Sequence, residues 1–268
     1  MNKINFTWLT NYACNYRCPY CFLDGHWEEL LKTDKYFSKE RILVAWTRIK
    51  DKYGEAHICV SGGEPVLFPN FISLIKEISN MHTIGICTNL SIDVKDIIDN
   101  LDPRRVDLSV SFHPHFVKIN DMLDKLHLLK QYQWRLIVEC VGWPPLISNM
   151  DNYYFNFRDF NFSVLPFWGK YNGKAYPENY TEEAKSIINR YIAHRENESF
   201  RTDPPRVKGR VCRAGQVYAH ILPNGQVLRC SFGGEPINKN FFDDEFSLLD
   251  KPSFCSSEYC GCLEWVVC

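Results

Sequence analysis

Short apolar runs alternate along this chain with longer segments whose apolar residues recur every three or four positions. The short runs "INFTWLT" (4–10), "HICVSG" (57–62), "TIGICTN" (83–89), "VDLSVSF" (106–112), "WRLIVECVG" (134–142) and "FSVLPF" (162–167) predict six strands. They are rich in β-branched and aromatic residues and end at polar, Gly or Pro positions. Between them, residues 38–53, 70–80, 91–101 and 119–132 carry helical spacing, several with Ser, Asp or Asn near the start as a cap. The aromatic stretch 147–160 fits neither period.

This alternation predicts an α/β chain: parallel strands joined by right-handed crossovers in a partial (β/α)6 TIM-like barrel. Function in such barrels gathers where strands end. The loop "ACNYRCPYCF" follows the first strand, "SGGEP" closes the second and "CTN" closes the third, so all three fall on one rim. A helix over 181–196 and a polar, proline-bearing linker over 197–210 complete the barrel region, taken as residues 1–200. Residues 211–268 read as a small cysteine-rich C-terminal domain: a hairpin turning at Pro223, Asn224 and Gly225, then irregular chain. That stretch looks short of apolar residues, and a metal would staple it.

Composition narrows the class. At 268 residues, 45% hydrophobic and 24% charged, the chain is an ordinary globular sequence. A net charge of -1 offers no footprint for nucleic acid or an anionic membrane. No apolar run reaches the length of a membrane span, and the first residues lack the pattern of a secretory signal, so the expected location is cytoplasmic. In that reducing compartment twelve cysteines point to metal or redox chemistry before disulfides.

Cys14, Cys18 and Cys21 crowd one loop, and no further thiol follows until Cys59. A cubane iron-sulfur cluster normally takes four thiolates, so three would leave one iron without a protein ligand, the mark of a reactive centre. Zinc is the alternative; it wants a fourth ligand, and His26 is the nearby candidate. Cys59, Cys87 and Cys140 read as small buried apolar side chains, although one facing the cavity could give a hydrogen atom to a substrate radical.

The C-x3-C-x2-C spacing, with Tyr20 before the last cysteine, resembles the signature of the radical S-adenosylmethionine (SAM) superfamily. The resemblance implies a 4Fe-4S cluster whose open iron chelates SAM, an electron passed to the sulfonium, and a 5'-deoxyadenosyl radical that abstracts a substrate hydrogen. It implies SAM-binding roles for Gly62, Gly63 and Glu64, with Pro65 shaping the turn, and a low-potential electron donor such as flavodoxin or ferredoxin. Thr88, Asn89, Ser109, Ser111 and His113 resemble positions that contact SAM or substrate; capping is the competing role for Asn89 and Ser111. Glu139 interrupts an apolar strand, for which solvation at an edge is the simpler account.

Cys212 and Cys230 bracket the hairpin as C-x12-G-x4-C, followed by Cys255, Cys260, Cys262 and Cys268. This resembles the SPASM or twitch extension of radical SAM enzymes, which implies a second, auxiliary 4Fe-4S cluster on Cys212, Cys230 and two of Cys255, Cys260 and Cys262. A zinc knuckle is the alternative. The expected substrate is a small molecule or a compact peptide, to be oxidised, epimerised or cross-linked. A glycyl-radical-enzyme activase and a non-catalytic metal-binding protein are the competing functions.

Overall fold

A computed structural model describes residues 4–192, 202–203, 205–231 and 234–260. Six strands, β1 (Ile4–Leu9), β2 (Ala56–Ser61), β3 (Thr83–Thr88), β4 (Val106–Ser111), β5 (Leu136–Gly142) and β6 (Phe162–Pro166), lie in sequence order and all pair in parallel. This is the expected partial barrel. After the short α1 (Trp27–Leu31), the crossovers are α2 (Lys39–Tyr53), α3 (Phe71–Ser79), α4 (Val94–Asn100), α5 (Ile119–Gln131) and α6 (Met150–Phe157). The unassigned aromatic stretch is therefore α6, whose Met150, Tyr153 and Phe157 are buried.

Local chemistry starts several of these helices. The Ser38 hydroxyl accepts from Arg41 N–H at the head of α2, and the Asp93 carboxylate accepts from Lys95 N–H at the head of α4. The last helix among the described residues, α7 (Glu182–Arg190), is capped by Thr181 and stops short of the expected 196. Residues 193–196 of that expectation lie outside the described residues.

Burial alternates along β2, β4 and β5 with the period of a strand. The fully buried set faces the helices: Phe6 and Trp8 of β1 meet the Trp46 ring of α2 at 5.4 and 5.8 Å. The half-buried set, including Thr7, Cys59, Cys87, Ser109 and Glu139, falls on the opposite, concave face. That face is polar and sulfur-bearing, whereas the helix-facing core is apolar. Glu139 lies on β5, paired on both sides by β4 and β6, and the Ser109 hydroxyl donates to it, so edge solvation does not describe it.

Two hairpins extend the fold. The strands β7 (Gly169–Tyr171) and β8 (Lys174–Tyr176) turn at Asn172 and Gly173, both with positive φ. Further on, β9 (Val211–Cys212) precedes the expected hairpin, β10 (Tyr218–Ile221) and β11 (Gln226–Leu228), and β12 (Pro236–Asn240) adds one more strand. The strand β10 pairs in parallel with β1, opposing Thr7 to His220, so the hairpin continues the barrel sheet to nine strands. The C-terminal stretch also has an apolar anchor of its own: Phe241 and Phe246 are buried, and Phe241 meets the Trp46 ring at 4.6 Å. The expectation that it lacks apolar support is corrected by these aromatics, which lie in a stretch without strand or helix periodicity.

Candidate active site

The loop after β1 is held from both sides. The Asp34 carboxylate accepts from Tyr12 N–H at 3.0 Å, and the amides of Gly63 and Glu64 donate to the carbonyls of Asn11 and Ala13 at 2.8 and 2.7 Å. A Cβ on Gly63 would lie 2.3 Å from the Ala13 carbonyl oxygen, and one on Gly62 would lie 2.6 Å from that of Asn11. Both glycines are thus required by close passage of the cysteine loop itself. Pro65, buried, opens a short 3-10 turn behind them and does not line the cavity described next.

Glu64 is buried and fully engaged. Thr88 Oγ1 donates to one carboxylate oxygen at 2.6 Å, and Asn89 N–H donates to the other at 2.7 Å, tying the end of β2 to the end of β3. Burial holds its carboxyl above the ordinary range, against the pull of these donors. Asn89 reaches back to the cysteine loop through an Asn15 contact of 2.9 Å, while its own Oδ1 accepts from Ser91 N–H in a local turn; the cap of α4 is Asp93, so Asn89 does not fill the competing capping role.

These elements enclose one cavity of about 190 Å³. Its wall includes Cys14, Cys18, Cys21, Tyr20, Gly62, Gly63, Glu64, Thr88, Asn89, Ser111 and His113; of the expected barrel-site residues, Pro65 and Ser109 do not line it. His113 Nδ1 lies 3.1 Å from the Tyr20 hydroxyl and 3.4 Å from Cys18 Sγ, and its ring stacks on Tyr20. Burial, with His115 adding to it, brings the His113 imidazole down to about 4, so it is neutral near pH 7. Exposed His26 starts α1 and is not part of the wall, so it supplies no fourth ligand from there.

The donor set fits an iron-sulfur cluster. Burial first, then repulsion from Cys21 and Cys14, pushes the Cys18 thiol up to about 12, so three thiolates here need positive charge among them. Among the described residues no group of three or more His, Cys, Asp or Glu is gathered closely enough to hold a single metal ion. Thiols spread around a cavity suit a cubane, where each iron takes its own sulfur. Cys87 shares the cavity, but its sulfur is paired with Cys59 at 3.7 Å.

A family model described as Radical SAM superfamily matches residues 8–141, half of the chain. The chain belongs to the radical SAM superfamily. The matched span contains the three loop cysteines, the Gly-Gly-Glu turn and the β3 and β4 rim. Among curated relatives, a GTP 3',8-cyclase of Haemophilus influenzae is 36% identical over 89 residues, 32% of this chain and 26% of that protein. A probable GTP 3',8-cyclase of Methanocaldococcus jannaschii is 25% identical over 189 residues, 55% of this chain and 61% of that one. The chain thus aligns with less than two thirds of the length of these relatives. Among solved structures, Streptococcus suis SuiB superposes with a TM-score of 0.66 at 16% identity, covering 91% of this chain and 64% of that one. The structure of anSMEcpe with bound AdoMet gives a TM-score of 0.66 at 16% identity, covering 90% and 78%. These likenesses establish the shared radical SAM fold.

At the C-terminus, β13 (Ser253–Phe254) pairs with β9, opposing Ser253 to Cys212. Cys212 is buried and feels both Cys255 and Cys260, whose charges would raise its thiol further after burial has done so. Arg229, buried beside Cys230 in sequence, donates to the carbonyls of Ala214, Phe254 and Ser253 and so joins the hairpin to β13. Cys262 and Cys268 lie outside the described residues. Arg229, Asp34 and Asn15 escaped the sequence reading because their partners are set by tertiary packing and not by a local motif.

Proposed function

We propose that this chain holds a 4Fe-4S cluster on Cys14, Cys18 and Cys21, binds SAM against Gly62, Gly63 and the rim residues Asn89, Ser111 and His113, and acts on a peptide or small-molecule substrate. The observation that carries this reading is the meeting of three loop thiols with the ends of β2, β3 and β4 around one cavity. When bound, the reduced cluster and SAM supply a radical able to take hydrogen from carbon. The chain's part is to fix the thiols through Asp34, Gly63 and Glu64, and to orient the ligand along the Gly62–Gly63 segment of the cavity wall.

Tyr20 and neutral His113 form the wall over Cys18, excluding water from the sulfur. The polar concave face from Ser109 to Tyr218 is the natural seat for substrate. A peptide is favoured by what two neighbours hold: SuiB bound to precursor peptide SuiA aligns over 91% of this chain and 65% of that one, and anSMEcpe bound to the Kp18Cys peptide over 89% and 78%. Cys212, Cys230 and two of Cys255, Cys260 and Cys262 would hold an auxiliary 4Fe-4S cluster in a SPASM-like extension, a reading supported by the electrostatic influence of Cys255 and Cys260 on Cys212. The ten described cysteines are all free, and no described helix is long and apolar enough to cross a membrane, in keeping with a cytoplasmic enzyme served by flavodoxin or ferredoxin.

Anaerobic reconstitution tests the reading. The reduced protein given SAM yields 5'-deoxyadenosine, and the Cys14→Ala, Cys18→Ala, Cys21→Ala triple variant yields none while keeping the absorbance of the second cluster. SAM cleavage by the triple variant, or zinc in place of iron on the loop, would refute it.

A further inference from the structure

Two thiols outside the cluster loop meet at the cavity. Cys59 on β2 and Cys87 on β3 share the concave face, with sulfurs 3.7 Å apart, and Cys87 lines the cavity beside Cys14, Gly62 and Asn89. In register, Cys59 opposes Gly85, which places Cys87 two residues further along: a diagonal pair. Strand spacing and rise put the two Cα atoms about 8 Å apart. A disulfide tolerates no more than about 7 Å. The sulfurs therefore touch but cannot join unless two central strands move, and the geometry preserves two S–H groups side by side.

The surroundings keep the hydrogen in place. The hydrogen bond with Cys59, then burial, push the Cys87 thiol well above its ordinary range, so it stays protonated at neutral pH. An S–H bond is weaker than a typical C–H bond, and a hydrogen atom passes downhill from a thiol to a carbon radical.

We propose that Cys87 is the hydrogen-atom donor of this cavity, returning hydrogen to a substrate carbon radical, with Cys59 as its resupply; this rests on the radical reading above. A C–H bond forms on the substrate as the Cys87 S–H bond breaks, leaving a thiyl radical. The Cys59 hydrogen then moves to Cys87, carrying the unpaired electron away from the cavity. One electron from a low-potential donor of the ferredoxin or flavodoxin class and one proton from solvent restore Cys59. The substrate leaves with as many hydrogens as it brought, so the reaction class is an isomerisation at a C–H centre, such as an epimerisation, and not a dehydrogenation.

The test needs no identified substrate. Cluster-loaded protein is reduced with dithionite in D2O with SAM alone, and deuterium per molecule of 5'-deoxyadenosine is measured by mass spectrometry, which removes any change in rate. The wild type places one solvent deuterium in this product, since the radical in the empty cavity takes it from Cys87. That fraction falls several-fold in Cys87→Ala and in Cys87→Ser, whose O–H bond is too strong to yield its hydrogen, and persists in Cys140→Ala, a thiol buried in the helix-facing core. A readout independent of turnover is phenylarsine oxide, mapped by peptide mass on unreduced, cluster-loaded protein. It bridges Cys59 to Cys87, S-adenosylhomocysteine slows the bridging, and Cys59→Ser abolishes it. Unchanged deuterium in both Cys87 variants, or no bridged adduct, overturns the proposal. Absence of 5'-deoxyadenosine from the wild type overturns the underlying radical reading, and the proposal falls with it.

Discussion

Gly63 shows how one missing side chain can set a metal site. Its Cβ position is occupied by carbonyl oxygens of Tyr12 and Ala13, backbone atoms that cannot swing aside. Gly63→Ala is expected to displace the cysteine loop and to lower iron after reconstitution by about four per chain, one cubane's worth. An iron assay with visible absorbance checks this; full iron loading would show that the loop tolerates the shift. His82 makes a different point. Its imidazole is buried, Ala56 N–H donates to Nδ1 at 3.0 Å, and Nε2 lies 3.0 Å from the Trp46 carbonyl, so the neutral ring with hydrogen on Nε2 satisfies both neighbours. Burial holds it below its ordinary value. Above about pH 6.5 folded and unfolded rings are both neutral and the stabilisation is whole; below it the unfolded chain takes a proton that the folded ring refuses, costing up to about 1.4 kcal/mol per pH unit until the folded value is reached. Buried His220 adds to the same trend, brought down to about 4. Urea unfolding from neutral to mildly acidic pH should therefore show a shallower slope for His82→Gln than for wild type, and equal slopes would remove His82 from the account.

Elements differ in how plainly the chain announces them. The barrel strands were legible because each is a run of β-branched and aromatic residues ending at polar or Gly/Pro positions, and their observed ends fall within about two residues of the expected ones. The cysteine loop and the Gly-Gly-Glu turn were legible for another reason: their chemistry is carried by consecutive residues. Helix α6 was not, since "NYYFNF" is aromatic on every side and exposes Tyr154 and Phe155 while burying Tyr153 and Phe157. The hairpin of β7 and β8 was missed despite Asn172-Gly173, the pair best suited to a two-residue turn. Its Tyr171 ring lies 5.3 Å from Trp143, which in turn lies 5.6 Å from Tyr20, so this hairpin braces the cavity wall. Gly173 has a φ of 74°, and Gly173→Val should cost about 1 to 2 kcal/mol through backbone strain. A thermal melt reads that loss, and none at all would mean the turn relaxes freely.

At the scale of the whole molecule the question is what keeps the C-terminal stretch on the barrel. The parallel pairing of β10 with β1 lay beyond the sequence, because a hairpin's own pattern does not say which sheet edge it joins. Two attachments now compete: sulfur ligands around Cys212, and Phe241 with Phe246 buried against Trp46 of α2, beside an Arg48 guanidinium that donates to the Phe241 carbonyl at 2.6 Å. They separate by variant. Cys212→Ala is expected to lower iron by about four per chain, yet to leave residues 236–250 protected from protease, because the aromatic anchor is intact. Phe241→Ala removes a side chain with no exposed surface and should cost about 3 to 5 kcal/mol, opening that same segment to cleavage even with iron bound. If Cys212→Ala alone released the segment, the metal would be its main fastening and the aromatics a consequence of docking; because hydrophobic burial needs no ligand to form, the opposite order is the one the packing supports.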